Sequence, residues 1–210
     1  MLCPDAEFDP AKLKAIGLAV AAALEKSEAY LTDLDSKAGD GDLGASMLRG
    51  AQAIQALPDN AWLNPAQALV STGNALRRAI AGSSGPFYAI ALTRAGRRLA
   101  ENGRFAASDY TEALAIAVAA ISETGGAKPG DRTMLDALHP ALESLRANPD
   151  TDAGAAWIKA AEAAEAGAKA TEAMKPKLGR ASYLGERAVG VPDGGAVAVA
   201  IWMRALAEAL

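Results

Sequence analysis

The chain has 210 residues and a mass of 21.4 kDa, enough for one large domain with a sizeable core, which disfavours a peptide hormone, a disulfide scaffold or a repeat array. Apolar residues make up 51% of the chain and aromatic residues 5%, and about a quarter of all residues are alanine, so an all-helical domain with a closely packed core of small side chains is expected. The formal net charge is -4, with no basic block, so neither a nucleic-acid partner nor a membrane-surface partner is expected.

Eight helices are predicted, and each boundary carries its own capping or helix-breaking residue. In the first helix Asp9 is the predicted N-cap, Pro10 takes the first helical position, and an apolar stripe continues to about Tyr30. The other predicted helices, in chain order, cover residues 44–57, 65–82, 86–102, 108–125, 133–146, 152–175 and 195–210.

Two segments, residues 114–118 and 197–201, alternate with a period of two and could therefore be strands. We predict helices there, because the alternating partner is alanine rather than a polar residue and because each segment lies inside a longer predicted helix.

Short connections between eight helices predict that neighbouring helices run antiparallel. The fold class predicted is therefore all-α, a single domain over residues 1–210 built as an up-and-down barrel or bundle of eight antiparallel helices. Every second connection then lies at the same end. The four connections at one end are residues 31–43, 82–85, 125–132 and 176–194. They contain clustered aspartates, glycine-rich turns and arginines, so we expect a binding site at this end.

The first of these connections carries four carboxylates within ten residues, from Asp33, Asp35, Asp40 and Asp42. Hard oxygen ligands without histidine or cysteine suit Mg²⁺ or Ca²⁺ rather than zinc. A solvated acidic loop with helix caps is the alternative. The run from residue 39 to 44 also matches G-x-G-x-x-G, but a Rossmann site requires a preceding strand, and here a helix is predicted instead.

The other connections at this end offer groups that suit an anion. The Gly-Ser-Ser-Gly turn at residues 82–85 leads directly into a helix start, where free backbone amides and the helix dipole attract negative charge. Residues 125–133 form another loop at a helix start, and Arg180 could hold a phosphate with two donors. Together with a divalent cation, these groups point to a nucleoside phosphate.

In its motifs the chain resembles the nucleotide-binding L subunit of dihydroxyacetone kinase over essentially its whole length. The resemblance depends on four motifs in the same order: Leu31-Thr-Asp-Leu-Asp35 with Gly39-Asp-Gly-Asp-Leu-Gly44, Gly82-Ser-Ser-Gly-Pro86, Pro129-Gly-Asp-Arg-Thr-Met-Leu-Asp136, and Gly179-Arg-Ala-Ser-Tyr-Leu-Gly-Glu-Arg187. It implies an eight-helix barrel that binds ADP or ATP at one end.

The resemblance also implies roles for individual residues. The ligands of two Mg²⁺ ions would be Asp35, Asp40 and Asp42. The nucleotide contacts would be Leu43, Gly44, Ala45, Ser46, Ser83, Ser84, Gly125, Met134, Arg180, Asp193, Gly194 and Gly195. Two positions depart from the family: Leu43 stands where His or Thr is usual, and Gly194 where proline is common.

Family members phosphorylate dihydroxyacetone held by a separate K subunit or domain. The resemblance therefore implies a cytoplasmic phosphotransferase subunit with a K-type partner, and it leaves a homodimer open. The phosphoryl donor would be ATP, or a resident ADP recharged by a phosphocarrier protein. Alternatives are a nucleotide-sensing regulatory subunit, the nucleotide domain of a fatty-acid kinase type assembly, and a metal-dependent hydrolase.

A cytoplasmic location is also expected from the rest of the sequence. Cys3 is the one cysteine, so no disulfide framework is expected. The longest apolar runs are shorter than the roughly 20 residues of a membrane span, and no basic apolar leader is read at the start of the chain.

Overall fold

The computed structural model describes residues 9–82, 84–103 and 105–210, and within these ranges every regular element is a helix. In the described part of the chain, four short 3-10 helices cover Asp59–Trp62, Thr171–Ala173, Arg180–Tyr183 and Gly185–Ala188. The α-helices of the described residues are α1 (Pro10–Lys26), α2 (Glu28–Ala38), α3 (Leu43–Gln55), α4 (Pro65–Ala79), α5 (Ser84–Asn102), α6 (Ala107–Gly125), α7 (Leu135–Ala147), α8 (Ala153–Ala170) and α9 (Gly194–Ala209). The predicted all-α class is confirmed.

The helices form a closed ring of eight positions. α1 packs against α3, each later helix packs against its successor, and α9 returns to pack against α1. α2 continues from α1 after an interruption at Ser27, whose hydroxyl donates to the Ala23 carbonyl at 2.8 Å. A serine that bonds back to the preceding turn commonly bends a helix, and here the bend lets both α1 and α2 pack against α3.

The prediction that residues 31–43 form a loop is wrong for most of its length, because α2 extends to Ala38. Leu31, Leu34 and Ala38 are buried on one helical face, and Lys37 forms an i,i+4 ion pair with Asp33 at 2.6 Å. Only residues 39–42 link α2 to α3, so the acidic residues lie on and beside helix ends rather than in a long loop.

Two other predicted boundaries are also corrected. The helix predicted to end at Lys175 ends at Ala170 and passes into a 3-10 turn. The helix predicted to be capped by Ser108 begins at Ala107, and its N-terminus is stabilised by Asp109, whose carboxylate accepts from the Ala106 N–H at 2.9 Å.

Both alternating segments are helical, as predicted: residues 114–118 lie inside α6 and residues 197–201 inside α9. Their alanines are the small side chains that close helix packing requires. On α8, Ala160, Ala161 and Ala164 are completely buried and form part of the core. The core therefore combines buried alanines with larger buried side chains such as Leu31, Met47 and Met203.

Among the described residues, no helix is both long enough and apolar enough to cross a membrane. Cys3 lies outside the described residues, so the structure does not test the inference made from it.

Candidate functional site

An acidic cluster marks the junction of α2 and α3. Asp35 lies in the last turns of α2, Asp40 in the link, and Asp42 directly before α3. One carboxylate oxygen from each lies within 4.8 Å of those of the other two. Asp33, the fourth acid of the predicted loop, instead points to Lys37. Of the residues described, these three carboxylates are the group whose spacing could hold a metal ion.

Asp35 also stabilises the start of α3. Its Oδ2 accepts hydrogen bonds from the backbone N–H of Asp42, at 2.8 Å, and of Leu43, at 3.1 Å. These are N–H groups at the start of a helix, which have no partner within the helix, and a negative charge there interacts favourably with the helix dipole. The Asp35 carboxylate is therefore held in place by backbone contacts through Oδ2.

The cluster suits a hard divalent cation. All its donors are carboxylate oxygens, which Mg²⁺ and Ca²⁺ prefer, and the side chains of Asp40 and Asp42 are exposed. Arg180, from the 3-10 helix at residues 180–183, forms an ion pair with Asp40 of the cluster. The segment that joins α8 to α9 therefore reaches across to the link between α2 and α3.

Several predicted nucleotide contacts are brought together beside this cluster. The start of α9 lies against the start of α3, since a Cβ on Gly194 would be 2.5 Å from Cδ2 of Leu43. It also lies against the start of α7, since a Cβ on Gly195 would be 3.8 Å from Cβ of Met134. The starts of α3, α7 and α9, which follow the first, third and fourth predicted connections, therefore lie together.

The other predicted contacts have varied surroundings. Ser46 is buried, and its hydroxyl accepts from Arg49 Nη2 at 2.8 Å. Gly44 is buried and Ala45 half-buried in the first turn of α3. Ser84 is the first residue of α5, and Gly125, at the end of α6, lies against the ring of Phe87. Ser83 lies outside the described residues.

Sequence reasoning missed two buried charged residues next to this region. Arg132 is 1% exposed, and Asp136 is buried in the first turn of α7. The carboxylate of Asp136 accepts from the backbone N–H of Gly130 at 2.5 Å and of Thr133 at 2.8 Å, so it holds the turn before α7. An acid in a first helical turn, three residues after a threonine, is the signal that could have identified it.

Asp193 is the N-cap of α9, where its carboxylate accepts from the Ala196 N–H at 2.8 Å and its own N–H donates to Thr171 Oγ1 at 2.7 Å. Burial raises the pKa of Asp193 from its usual 3.8 to about 6, and the nearby Asp136 adds to the rise. The bond from Ala196 and the charge of Arg132 oppose it. At neutral pH the start of α9 therefore holds a carboxylate that is costly to ionise.

We predict that Asp193→Asn removes the fall in unfolding free energy that wild type shows at this position as pH rises. Between about pH 4 and 6 the folded protein keeps a proton that the unfolded chain releases, so this group's contribution to the unfolding free energy falls as pH rises. Asparagine can still cap α9. In urea titrations, the variant should match wild type near pH 4 and exceed it at pH 7 by up to about 3 kcal/mol.

The control is Asp152→Asn at the exposed N-cap of α8, where the carboxylate accepts from the Ala155 N–H at 3.3 Å. This variant should not gain stability relative to wild type as pH rises. A difference between Asp193→Asn and wild type that is the same at pH 4 and pH 7 would contradict the prediction.

Comparison with known proteins gives a family for this arrangement. The family model for the DAK2 domain matches residues 37–208. The dihydroxyacetone kinase of Citrobacter freundii is 40% identical over an alignment of 211 positions, gaps included, which covers 96% of this chain and 36% of that protein. D-erythrulose kinase of Mycolicibacterium smegmatis is 38% identical over 195 residues, 90% of this chain and 34% of that protein. The chain spans about a third of the length of these relatives.

A solved structure agrees with the sequence relatives. The crystal structure of the C. freundii dihydroxyacetone kinase in complex with AMP-PNP and Mg²⁺ matches all of this chain and 36% of that one, with a TM-score of 0.76 and 34% identity. Fold and sequence similarity therefore extend over the same length of chain. The chain belongs to the DAK2 domain family and is homologous to dihydroxyacetone kinase.

Proposed function

We propose that this chain is the Mg-nucleotide-binding, phosphoryl-transferring subunit of a kinase for dihydroxyacetone or a related short-chain ketose. The observation that carries the proposal is the convergence of the carboxylates of Asp35, Asp40 and Asp42 within 4.8 Å, beside the start of α3. Two findings support it: the curated relatives are named as kinases of dihydroxyacetone and erythrulose, and the matching crystal structure is a complex with AMP-PNP and Mg²⁺.

The proposed metal ligands are Asp35, Asp40 and Asp42, and two Mg²⁺ ions would share them. When bound, Mg²⁺ would neutralise the negative charge that phosphate oxygens carry during transfer. The chain's part is to place three carboxylates at one point. Asp35 does so through its bonds to the N–H groups of Asp42 and Leu43, which fix its position relative to α3.

The remaining proposed contacts position the nucleotide. The N–H groups in the first turn of α3, from Leu43 to Ser46, and the start of α5 at Ser83 and Ser84 are suited to phosphate oxygens, because helix N-termini attract anions. Gly125 and Met134 would border the base, with Arg180 and the turn at residues 193–195 completing the contacts. Transfer would depend on positioning and charge neutralisation, without a covalent protein intermediate.

The acceptor sugar would be held by a partner. The chain spans about a third of the length of its curated relatives, so the proposal includes a separate K-type subunit or domain that presents the ketose to the acidic cluster. The donor would be ATP, or ADP that a phosphocarrier protein recharges on the subunit. The cytoplasm is the proposed location, where nucleotide and ketose are both available.

Reconstitution tests the proposal. The purified chain is mixed with a K-type subunit, dihydroxyacetone, Mg²⁺ and ATP, and phosphorylated sugar is measured together with ATP consumption. The proposal expects stoichiometric sugar phosphate that depends on both subunits. A regulatory subunit would yield no sugar phosphate, and a hydrolase would consume ATP without any acceptor. Either result would contradict the proposal.

A further inference from the structure

The turn at residues 128–133, between α6 and α7, holds the segment that joins α8 to α9. The residue of this turn that makes the most buried contacts to the segment is Arg132, whose side chain is almost completely buried. A single nitrogen, Nη2, donates to the carbonyl of Ala188 at 3.1 Å and to the carbonyl of Val191 at 2.9 Å. One guanidinium therefore fixes the last part of the segment, just before the N-cap of α9.

The same turn also holds the first part of that segment. The Lys177 N–H donates to the Asp131 carbonyl at 3.2 Å, and Lys177 Nζ lies 2.8 Å from Asp131 Oδ1. Lys177, followed by Lys128, lowers the pKa of the Asp131 carboxyl. The two attachments lie on either side of the 3-10 helix that carries Arg180, so neighbouring residues of one turn hold both ends of this part of the segment.

Holding Arg132 in this position is costly. Its backbone φ is +61°, in the left-handed region, where residues other than glycine are uncommon. Its Nε and Nη1 are buried and have no hydrogen-bond partner among the described residues, which costs free energy because they have lost their bonds to water. Such costs persist where the surrounding structure requires the conformation, and they are more frequent at functional sites.

The segment that Arg132 holds contributes directly to the candidate site. Arg180, between the two attachments, forms the ion pair with Asp40 of the acidic cluster. Gly194, three residues after Val191, packs on Leu43 at the start of α3. A change in the position of this segment would therefore move two of the groups that border the proposed nucleotide site.

We propose that Arg132 is a positioning residue for the Mg-nucleotide site: by bridging the Ala188 and Val191 carbonyls it fixes the segment that carries Arg180 and leads into α9. The inference rests on the proposed function. In this proposal the side chain of Arg132 does not contact the nucleotide. Its effect on binding comes through the segment, in the way that residues behind a ligand shell orient the groups that touch the ligand.

The test compares Arg132→Met with Arg132→Lys. Methionine removes the donors and keeps an unbranched apolar side chain, whereas a lysine ammonium can donate to both carbonyls from one nitrogen. The matched control is Arg204→Met, which removes the bonds of another arginine, from α9 to Glu165 on α8, outside the site. Two quantities are measured for each variant: the rate of tryptic cleavage after Arg180, and the Kd of Mg·ADP by calorimetry.

We expect Arg132→Met to be cleaved after Arg180 about tenfold faster than wild type and to bind Mg·ADP about tenfold more weakly. Arg132→Lys should restore both quantities to within about threefold of wild type, and Arg204→Met should leave both unchanged. If Arg132→Met fails to fold, Lys177→Met decides, because Lys177 is exposed at the surface; it should change both quantities in the same direction.

The outcomes separate the two proposals. Faster cleavage with unchanged Mg·ADP affinity would make Arg132 a structural residue only and overturn the inference, as would wild-type values for both quantities. In either case the proposed function would stand, because the wild-type chain would still bind Mg·ADP. A wild-type chain that does not bind Mg·ADP would overturn the proposed function and the inference together.

Discussion

Replacing Asp40 with asparagine is expected to reduce phosphoryl transfer by at least about 10³-fold while the helix content stays unchanged, because a bound metal contributes several kcal/mol to stabilising the transferred charge. Asp40 is exposed, lies in the link between α2 and α3, and shares the acidic cluster with Asp35 and Asp42. Asparagine keeps the shape of the side chain and removes its charge, so the variant should fold and lose affinity for the cation.

The measurement is the rate of sugar phosphate formation in the reconstituted system at saturating Mg²⁺ and ATP, with circular dichroism as the check on folding. Asp33→Asn is the matched control, since Asp33 lies on α2, before the link that holds Asp40, and pairs with Lys37 at the surface. This control should keep wild-type turnover. Unchanged turnover in Asp40→Asn would remove the metal role of this residue.

The second large effect is expected from Gly44→Ala. A Cβ at this position would lie 2.2 Å from the Glu28 carbonyl oxygen and 2.1 Å from Thr32 Oγ1, so α2 could not stay packed on α3. The variant should lose about 2 kcal/mol of unfolding free energy, because the steric strain outweighs the gain from the better helix propensity of alanine. Because α2 carries Asp35, the shift should also weaken Mg·ADP binding.

Thermal unfolding of the nucleotide-free protein measures this effect, and about 2 kcal/mol corresponds to a fall in Tm of about 6 °C for a chain of this size. Gly154→Ala is the matched control. It lies in the first turn of α8, where a Cβ would approach only the exposed Asp152 carboxylate, at 3.3 Å. Its Tm should not fall. A Gly44→Ala variant as stable as wild type would show that α2 and α3 have room to separate.

Much of the fold could be predicted from the sequence because its local signals agree with the packing. Asp9 and Pro10 do start α1, Pro65 does start α4, and α9 begins at Gly194, one residue before its predicted start. The predicted count of eight helices is one fewer than the nine α-helices of the described residues, because the chain continues past Ser27 as a second helix, α2. The bend at Ser27 was missed because it breaks the helix for one residue, with no glycine or proline to mark it.

The acidic loop was misjudged for a physical reason. Aspartate has low helix propensity and favours turns, so the sequence predicts a loop at Asp33 and Asp35. Burial of Leu31, Leu34 and Ala38 against the rest of the barrel outweighs that preference and extends α2. The two helix ends and their short link still bring Asp35, Asp40 and Asp42 together, and their role as metal ligands stays a prediction.

The role of Arg132 in holding the segment before α9 could not be predicted from the sequence. Its bonds to the Ala188 and Val191 carbonyls join residues 56 and 59 positions apart, and neither its left-handed backbone nor its burial has a local signal. Arg180, in contrast, could be singled out from its motif, although its ion pair with Asp40 depends on the whole ring of helices closing.

Calorimetric titration of the purified chain with ADP, in excess Mg²⁺ and again in EDTA, tests most directly whether the three carboxylates hold a nucleotide through a divalent cation. We predict that ADP binds in Mg²⁺ and that EDTA weakens the binding at least about 100-fold, because carboxylates repel phosphates when no cation lies between them. ADP binding of equal strength in both solutions, or no binding in either, would contradict the account.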